Sequence, residues 1–243
     1  MKVVYMLFLN NWVFILVAIC CPVIPVLCVW CDVVILGAVL NECSVTEIVQ
    51  EILLTVIVII HMLLIIKYNE VRQCNILIAG FFSAMLFREL DAVFDLIGHG
   101  SWIYYSMTVS FLSLSYAIYN WRKTLAQLFS YMCTPHYGIM LSGILCTLVF
   151  SRLFGMSVLW ESLLKDNYLR TVKNIVEEGT ETFGYCLCLL SSVMCFFHLA
   201  RSFRRSSFWK IMYSWYLLSL NVLQVRWISR RRYSRGGVST AHM

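Results

Sequence analysis

The chain has 243 residues, of which 60% are hydrophobic and only 13% charged, against roughly 25% charged in an ordinary soluble domain. Polar surface is too scarce to cover a globule of this size, and 15% aromatic residues are the opposite of a disordered composition, so a soluble enzyme and a disordered segment are both excluded. The formal charge of +6 owes most to the tail, where Arg226, Arg230, Arg231, Arg232 and Arg235 crowd into the last 18 residues. Such a tail suits a cytoplasmic or anionic lipid surface; no recognition fold accompanies it, so no nucleic-acid partner is expected.

What remains is an all-α, polytopic transmembrane bundle, because long unbroken apolar runs predict helices and not the alternation of a barrel. The first run, 3–40, is interrupted by Pro22 and Pro25, which predicts one kinked helix or a split hairpin. The next runs, 48–66, 75–97, 102–120, 137–160 and 178–200, each predict one span, for about six in all. The segment 208–228 has a short apolar core between basic flanks. It is expected to lie in the interface as an amphipathic helix, with Trp209, Trp215 and Trp227 at headgroup depth. The predicted division is a bundle over 1–207 and an interfacial helix with a basic tail over 208–243.

Short-loop Lys and Arg set orientation. Lys67 and Arg72, Arg122 and Lys123, and Arg201, Arg204, Arg205 and Lys210 put 67–74, 121–136, 201–210 and the tail on the cytoplasmic side of a plasma or inner membrane. The opposite loops 41–47 and 98–101 carry no Lys or Arg; the third, 161–175, carries Lys165, Arg170 and Lys173. The eleven cysteines fall mostly inside apolar runs, where a thiol packs as a small hydrophobe. Cys28 and Cys31 have redox spacing but no nearby cation to favour a thiolate.

The acids gather toward the outer helix ends: Glu42, Glu47 and Glu51; Glu89, Asp91 and Asp95; Glu161; Glu177, Glu178 and Glu181. At 100° per residue, Arg88, Asp91, Asp95 and His99 form one stripe, and Arg170, Lys173, Glu177, Glu181, Gly184 and Cys188 another. Ser44 to Glu47 and Asn174 to Glu177 each read as a capping box. Glu51, Asp95 and Glu181 lie too deep for that, and an ionisable group inside a span costs roughly 2.5–3.5 kcal/mol, so each needs a partner or a purpose. His61 reads as a satisfied packing residue.

The chain has no Gly-x-Ser-x-Gly elbow, no His-Glu-x-x-His pair and no His-x-x-x-His box. Three expectations follow. In the first, Glu51, Asp95, His99 and Glu181 form a catalytic and metal-binding set for Mg²⁺, Mn²⁺ or non-haem iron, with Arg88 and Trp102 binding a lipid or lipid-linked substrate. In the second, the acids carry cations or protons, and only His61, Arg152 and Glu70 could continue the path, with Arg152 opposing cations. In the third, the acids are structural ion pairs, most of them neutralised by Arg88, Arg152, Arg170 and Lys173, in a non-catalytic partner of another membrane protein. Membrane lipids are expected neighbours in every case.

Overall fold

The computed structural model describes residues 17–37, 44–96, 98–165 and 170–236, with backbone only over 204–236. The described residues are helical, with no strand among them. They divide into two compact units, Met1–Phe196 and Phe197–Met243.

Helix α1, Val17–Ile35, passes through Pro22 and Pro25 as one helix and ends in a π-helical turn, Cys31–Ile35. The described part of the first run is therefore a single helix and not a hairpin. Helix α2, Val45–Lys67, is about 35 Å long at 1.5 Å per residue, enough for a hydrocarbon core of about 30 Å. Its N-cap is Ser44, whose Oγ accepts from the Glu47 N–H at 3.2 Å. Thr46, Gln50, Leu54, Ile57, His61 and Leu64 are its buried stripe, at the spacing of one helix face.

Helix α3, Arg72–Glu89, is followed by the short α4, Asp91–Asp95, and by α5, Trp102–Tyr119. Helix α6, Trp121–Met132, occupies the segment expected as a loop. It rests on α3, where Gln127 Oε1 accepts from the Cys74 N–H at 3.1 Å. Helix α7, Pro135–Phe154, starts on a proline, which suits a position with no helical N–H bond to lose. It contains a second π-helical turn, Cys146–Phe150. Helix α8 is Ser157–Leu164.

Helix α9, Arg170–Gly236, corrects two expectations. It begins before Asn174, which therefore lies inside the helix and cannot cap it. It also runs unbroken through 201–210, which is helix and not loop. The side chains of Trp209, Trp215 and Trp227 lie outside the described residues.

Among the described residues, four helices are long and apolar enough to cross a membrane: Val17–Ile35, Val45–Lys67, Pro135–Phe154 and Arg170–Phe203. The chain is thus a membrane protein whose described residues form helices and no strand. Six spans do not follow by this measure. Helix α3 carries Arg72, Arg88 and Glu89 in its 18 residues, and α5 dilutes its apolar residues with tyrosine and serine.

The core forms where α1, α2, α3, α7 and α9 meet, around Leu54, Ile57, Phe82, Met140 and Tyr185. Lipid removes the hydrophobic drive for helix pairing, so small residues and polar contacts take over. A Cβ at Gly184 would lie 2.8 Å from the Gly143 carbonyl oxygen, so α7 and α9 cross backbone to backbone. On α3, a Cβ at Gly80 would collide with the Ser113 side chain of α5. Cysteines 21, 28, 74, 186, 188 and 195 are buried free thiols, as expected of packing residues.

Candidate functional site: two buried polar layers

At one end of the bundle α2 and α9 begin while α3 and α7 finish. Glu181 of α9 sits there, one turn or more inside the helix, with its side chain only 3% exposed. Arg88 Nη2 donates to its Oε2 at 3.0 Å. Arg152 Nη2 meets its Oε1 at 2.6 Å. Ser151 Oγ lies 3.3 Å from the same oxygen while donating to the Thr147 carbonyl.

The ladder continues on both sides. Arg88 also pairs with Glu89, which accepts from the Tyr185 hydroxyl at 2.8 Å. Arg152 also pairs with Glu177, which Lys173 meets at 3.0 Å. Gln50 Nε2 donates to Thr182 Oγ1 at 2.9 Å and to Glu178 Oε2 at 3.0 Å. Arg88, Arg152 and Lys173 thus face Glu89, Glu177, Glu178 and Glu181, which brings a dense charged cluster close to neutrality. Such mutual pairing is what makes ionisable groups tolerable at membrane depth.

Asp32 completes this end. It is fully buried, and its carboxylate accepts from the Val45 N–H at 2.7 Å, the Thr46 N–H at 3.0 Å and the Thr46 hydroxyl at 2.5 Å. A residue of α1 therefore caps α2, satisfying two of its orphan N–H groups.

The second layer lies toward the other end. His61 Nδ1 is 2.7 Å from Asn75 Oδ1 and Nε2 is 3.1 Å from Ser192 Oγ. Asn75 spends its amide nitrogen on the Val71 carbonyl at 2.8 Å, so Nδ1 is assigned as the donor. His61 stacks on Phe82 and is a satisfied core residue, as its solitary position in the sequence suggests. Between Gln50 and His61 the buried positions of α2 are Leu53, Leu54 and Ile57. With Phe82 they place an apolar layer between the two polar ones.

The expected metal quartet is dispersed. Glu181 is taken by two arginines. Asp95 and His99 bond each other at 2.9 Å in an exposed turn, where the Gly100 N–H also donates to Asp95 at 2.8 Å. These donors, the Gly100 amide first, hold the Asp95 carboxyl below its ordinary range. Glu51 is half-buried on α2 and has no hydrogen bond or ion pair among the described residues. No group of three or more His, Cys, Asp or Glu among the described residues is placed to hold a metal ion.

The cause is a break in α3. The helix stops at Glu89, and Leu90 leaves helical geometry at φ −83°, ψ 20°, so Arg88, Asp91, Asp95 and His99 do not share one helix. Arg88 turns to Glu89 and Glu181, and Asp91 accepts from the Ala92 N–H instead. Trp102 is half-buried at the start of α5. Arg152 lies at the same end as the acids and pairs with Glu177 and Glu181, as the ion-pair expectation has it, and does not continue a path toward the other side. Sequence reasoning passed over Asp32, Gln50, Thr182 and Tyr185. Asp32 carried one signal, as the only acid within the apolar run 3–40.

No family model, curated protein or solved structure matches this chain.

Proposed function

We propose that the protein is a non-catalytic, multi-pass membrane protein whose intramembrane acids are structural ion pairs and whose apolar flanks engage lipid and another membrane protein. One observation carries this reading: Glu181 is held by guanidinium groups from two other helices, Arg88 of α3 and Arg152 of α7. A carboxylate so engaged is a poor general base and offers few free lone pairs to a metal. The apolar layer of Leu54, Ile57 and Phe82 likewise supports a scaffold over a conduit, since ion passage needs polar groups through both leaflets.

In this reading α3 and α5 also cross, giving six spans. Helix α3 is sandwiched between α2 and α5, and α5 turns Phe111, Leu112, Leu114 and Ile118 outward, as a lipid or partner contact requires. Lys and Arg placement supports a cytoplasmic side for 67–74, for α6 and for the C-terminal tail.

The test is purification of the full chain with and without Glu181→Gln, with melting temperature and elemental content measured together. A scaffold loses thermal stability in the variant and contains no stoichiometric metal in either form. Stoichiometric metal in the natural chain, lost in a variant that melts normally, would overturn the reading in favour of an enzyme.

A further inference from the structure

Helix α6, Trp121–Met132, is held between two short links: Asn120 alone separates it from α5, and Cys133 and Thr134 separate it from α7. Its 12 residues extend about 18 Å at 1.5 Å per residue, whereas the three steps from Met132 to Pro135 reach at most about 11 Å. Helices α3 and α7 start at one level, because Ser191 of α9 bonds the His136 carbonyl while Ser192 bonds His61, which bonds Asn75. Standing upright on the end of α5, α6 would carry Met132 too far for α7 to start there. Its contacts agree. Thr124 Oγ1 donates to the Ala117 carbonyl of α5 at 3.2 Å. Gln127 accepts from the Cys74 N–H of α3 at 3.1 Å and donates to Gln73 at 2.7 Å. Tyr131 meets the Tyr137 ring of α7 edge-on, at 5.8 Å. Helix α6 therefore lies across the ends of α3, α5 and α7.

Helical phase sorts its faces. Thr124, Gln127 and Tyr131 face the bundle through those contacts. Beside them Leu128, Trp121, Met132, Leu125 and Phe129 fill one sector of about 100°. All but Leu128 are exposed, Phe129 at 63% and Trp121 at 56%. Lys123 and Ser130, both exposed, lie on the side opposite that sector. The apolar sector points toward the middle of the spans. Leu128 shares a groove of about 470 Å³ with Leu114 of α5 and Ile144 of α7, and Ile144 lies roughly 14 Å along α7 from Pro135 at 1.5 Å per residue. The side of Leu128 is thus the hydrocarbon side of α6, and the side of Lys123 and Ser130 faces water.

The charges of α6 suit that placement. Arg122 stands at the edge of the apolar sector and lays its guanidinium over the Trp121 ring, 5.5 Å from its centre. Neither Arg122 nor Lys123 has an ion pair among the described residues, and the sequence holds no acid between Asp95 and Glu161. Aromatic rings anchor at the boundary between acyl chains and headgroups, and long cationic side chains reach from it toward water. Helix α5 carries such rings at both ends, with Trp102, Tyr104 and Tyr105 at one and Tyr116 and Tyr119 at the other. Trp121 continues the second belt onto α6.

We infer that α6 is an in-plane anchor in the leaflet at this end of the bundle. Trp121, Leu125, Phe129 and Met132 enter the acyl boundary, and Arg122 and Lys123 sit among the headgroup phosphates that every phospholipid carries. The inference rests on the reading that α5 and α7 cross the membrane. It goes beyond the lipid contact of the spans, because an in-plane helix displaces headgroups and fixes the depth at which α3, α5 and α7 end.

The test places single nitroxide side chains on introduced cysteines in the full chain, in a background lacking the native thiols, within phosphatidylcholine nanodiscs. Collision with oxygen, which concentrates among acyl chains, is compared with collision with a water-soluble nickel chelate. Leu125→Cys and Phe129→Cys should favour oxygen, and Lys123→Cys and Ser130→Cys the chelate, so the preference should alternate with the helical period along 121–132. Met132→Cys reports the same sector if Phe129→Cys expresses poorly. Phe111→Cys, midway along α5 at a residue 71% exposed, should favour oxygen. Chelate preference at 111 would overturn the crossing of α5 and the anchor with it. Oxygen preference at 111 with chelate preference at 125 and 129 would overturn the anchor alone, since the apolar face would then lie in water. Exclusion of both reagents at 125 and 129 would also overturn it, because protein would then cover the face, and so would oxygen preference at all four positions of α6.

Discussion

Arg88 and Glu181, separated by 93 residues in the chain, meet at 3.0 Å between the end of α3 and the early turns of α9. Removing one member weakens a buried cluster in which Glu181 keeps Arg152 and Arg88 keeps Glu89, so the loss should approach without reaching the about 3–5 kcal/mol of a stranded charge, and removing both should cost less than the sum. Arg88→Met and Glu181→Leu should each lower the melting temperature of the purified protein sharply, and the double variant should lose less than the two together. Strict additivity of the two changes would show that the pair is not coupled.

Glu177 and Glu47 should separate, although the sequence reads both as shallow caps. Ser44 caps α2 by accepting from the backbone N–H of Glu47, so the Glu47 carboxylate is left to a dipole role worth at most about 1 kcal/mol. Glu177 instead holds Arg152 and Lys173 together. Glu177→Gln should therefore destabilise by about 2–4 kcal/mol and Glu47→Gln by much less. Equal thermal shifts for the two variants would contradict the network.

The α7–α9 crossing should tolerate no added methyl. A Cβ at Gly184 would collide with Thr147 Oγ1, and one at Gly143 would lie 2.6 Å from Cys188 Sγ. Gly184→Ala and Gly143→Ala should each cost about 1–3 kcal/mol through overpacking. Gly138→Ala is the control: nothing lies within 4 Å of its added Cβ, and it should be neutral or slightly stabilising. Melting of the three variants side by side distinguishes crowding from a general intolerance of alanine.

Orientation is tested with single cysteines at Gly100→Cys and Arg122→Cys in a background lacking the native thiols. An impermeant reagent added outside intact cells should label position 100 and spare 122. The reverse pattern would invert every loop assignment made from Lys and Arg.

Much of the helix content was legible because apolar runs predict spans without any tertiary knowledge, as at 48–66, which lies within Val45–Lys67. Helix phase also sufficed within one helix: Lys173, Glu177 and Glu181 do share the polar side of α9. It failed where a helix stops. Extending α3 past Glu89 aligned Arg88 with Asp95 and His99, and the Leu90 break puts them in different settings. Partners from distant helices were the other blind spot. Nothing in the surroundings of Arg152 or Gln50 announces Glu181 or Thr182, because those contacts depend on which helices become neighbours.

A ribosome makes these helices in order, and the pairing of Arg152 gives that order a consequence. Arg88 leaves the ribosome with Glu89 already beside it. Arg152, at the end of α7, finds its carboxylates only when Glu177 and Glu181 of α9 arrive. Until then α7 carries an unmatched cation into the bilayer, a burden of a few kcal/mol that insertion machinery or neighbouring helices must bear. Nascent chains halted before 177 would therefore hold α7 loosely, and those released after 181 would lock it. Helix α9 is in this sense what completes the insertion of α7.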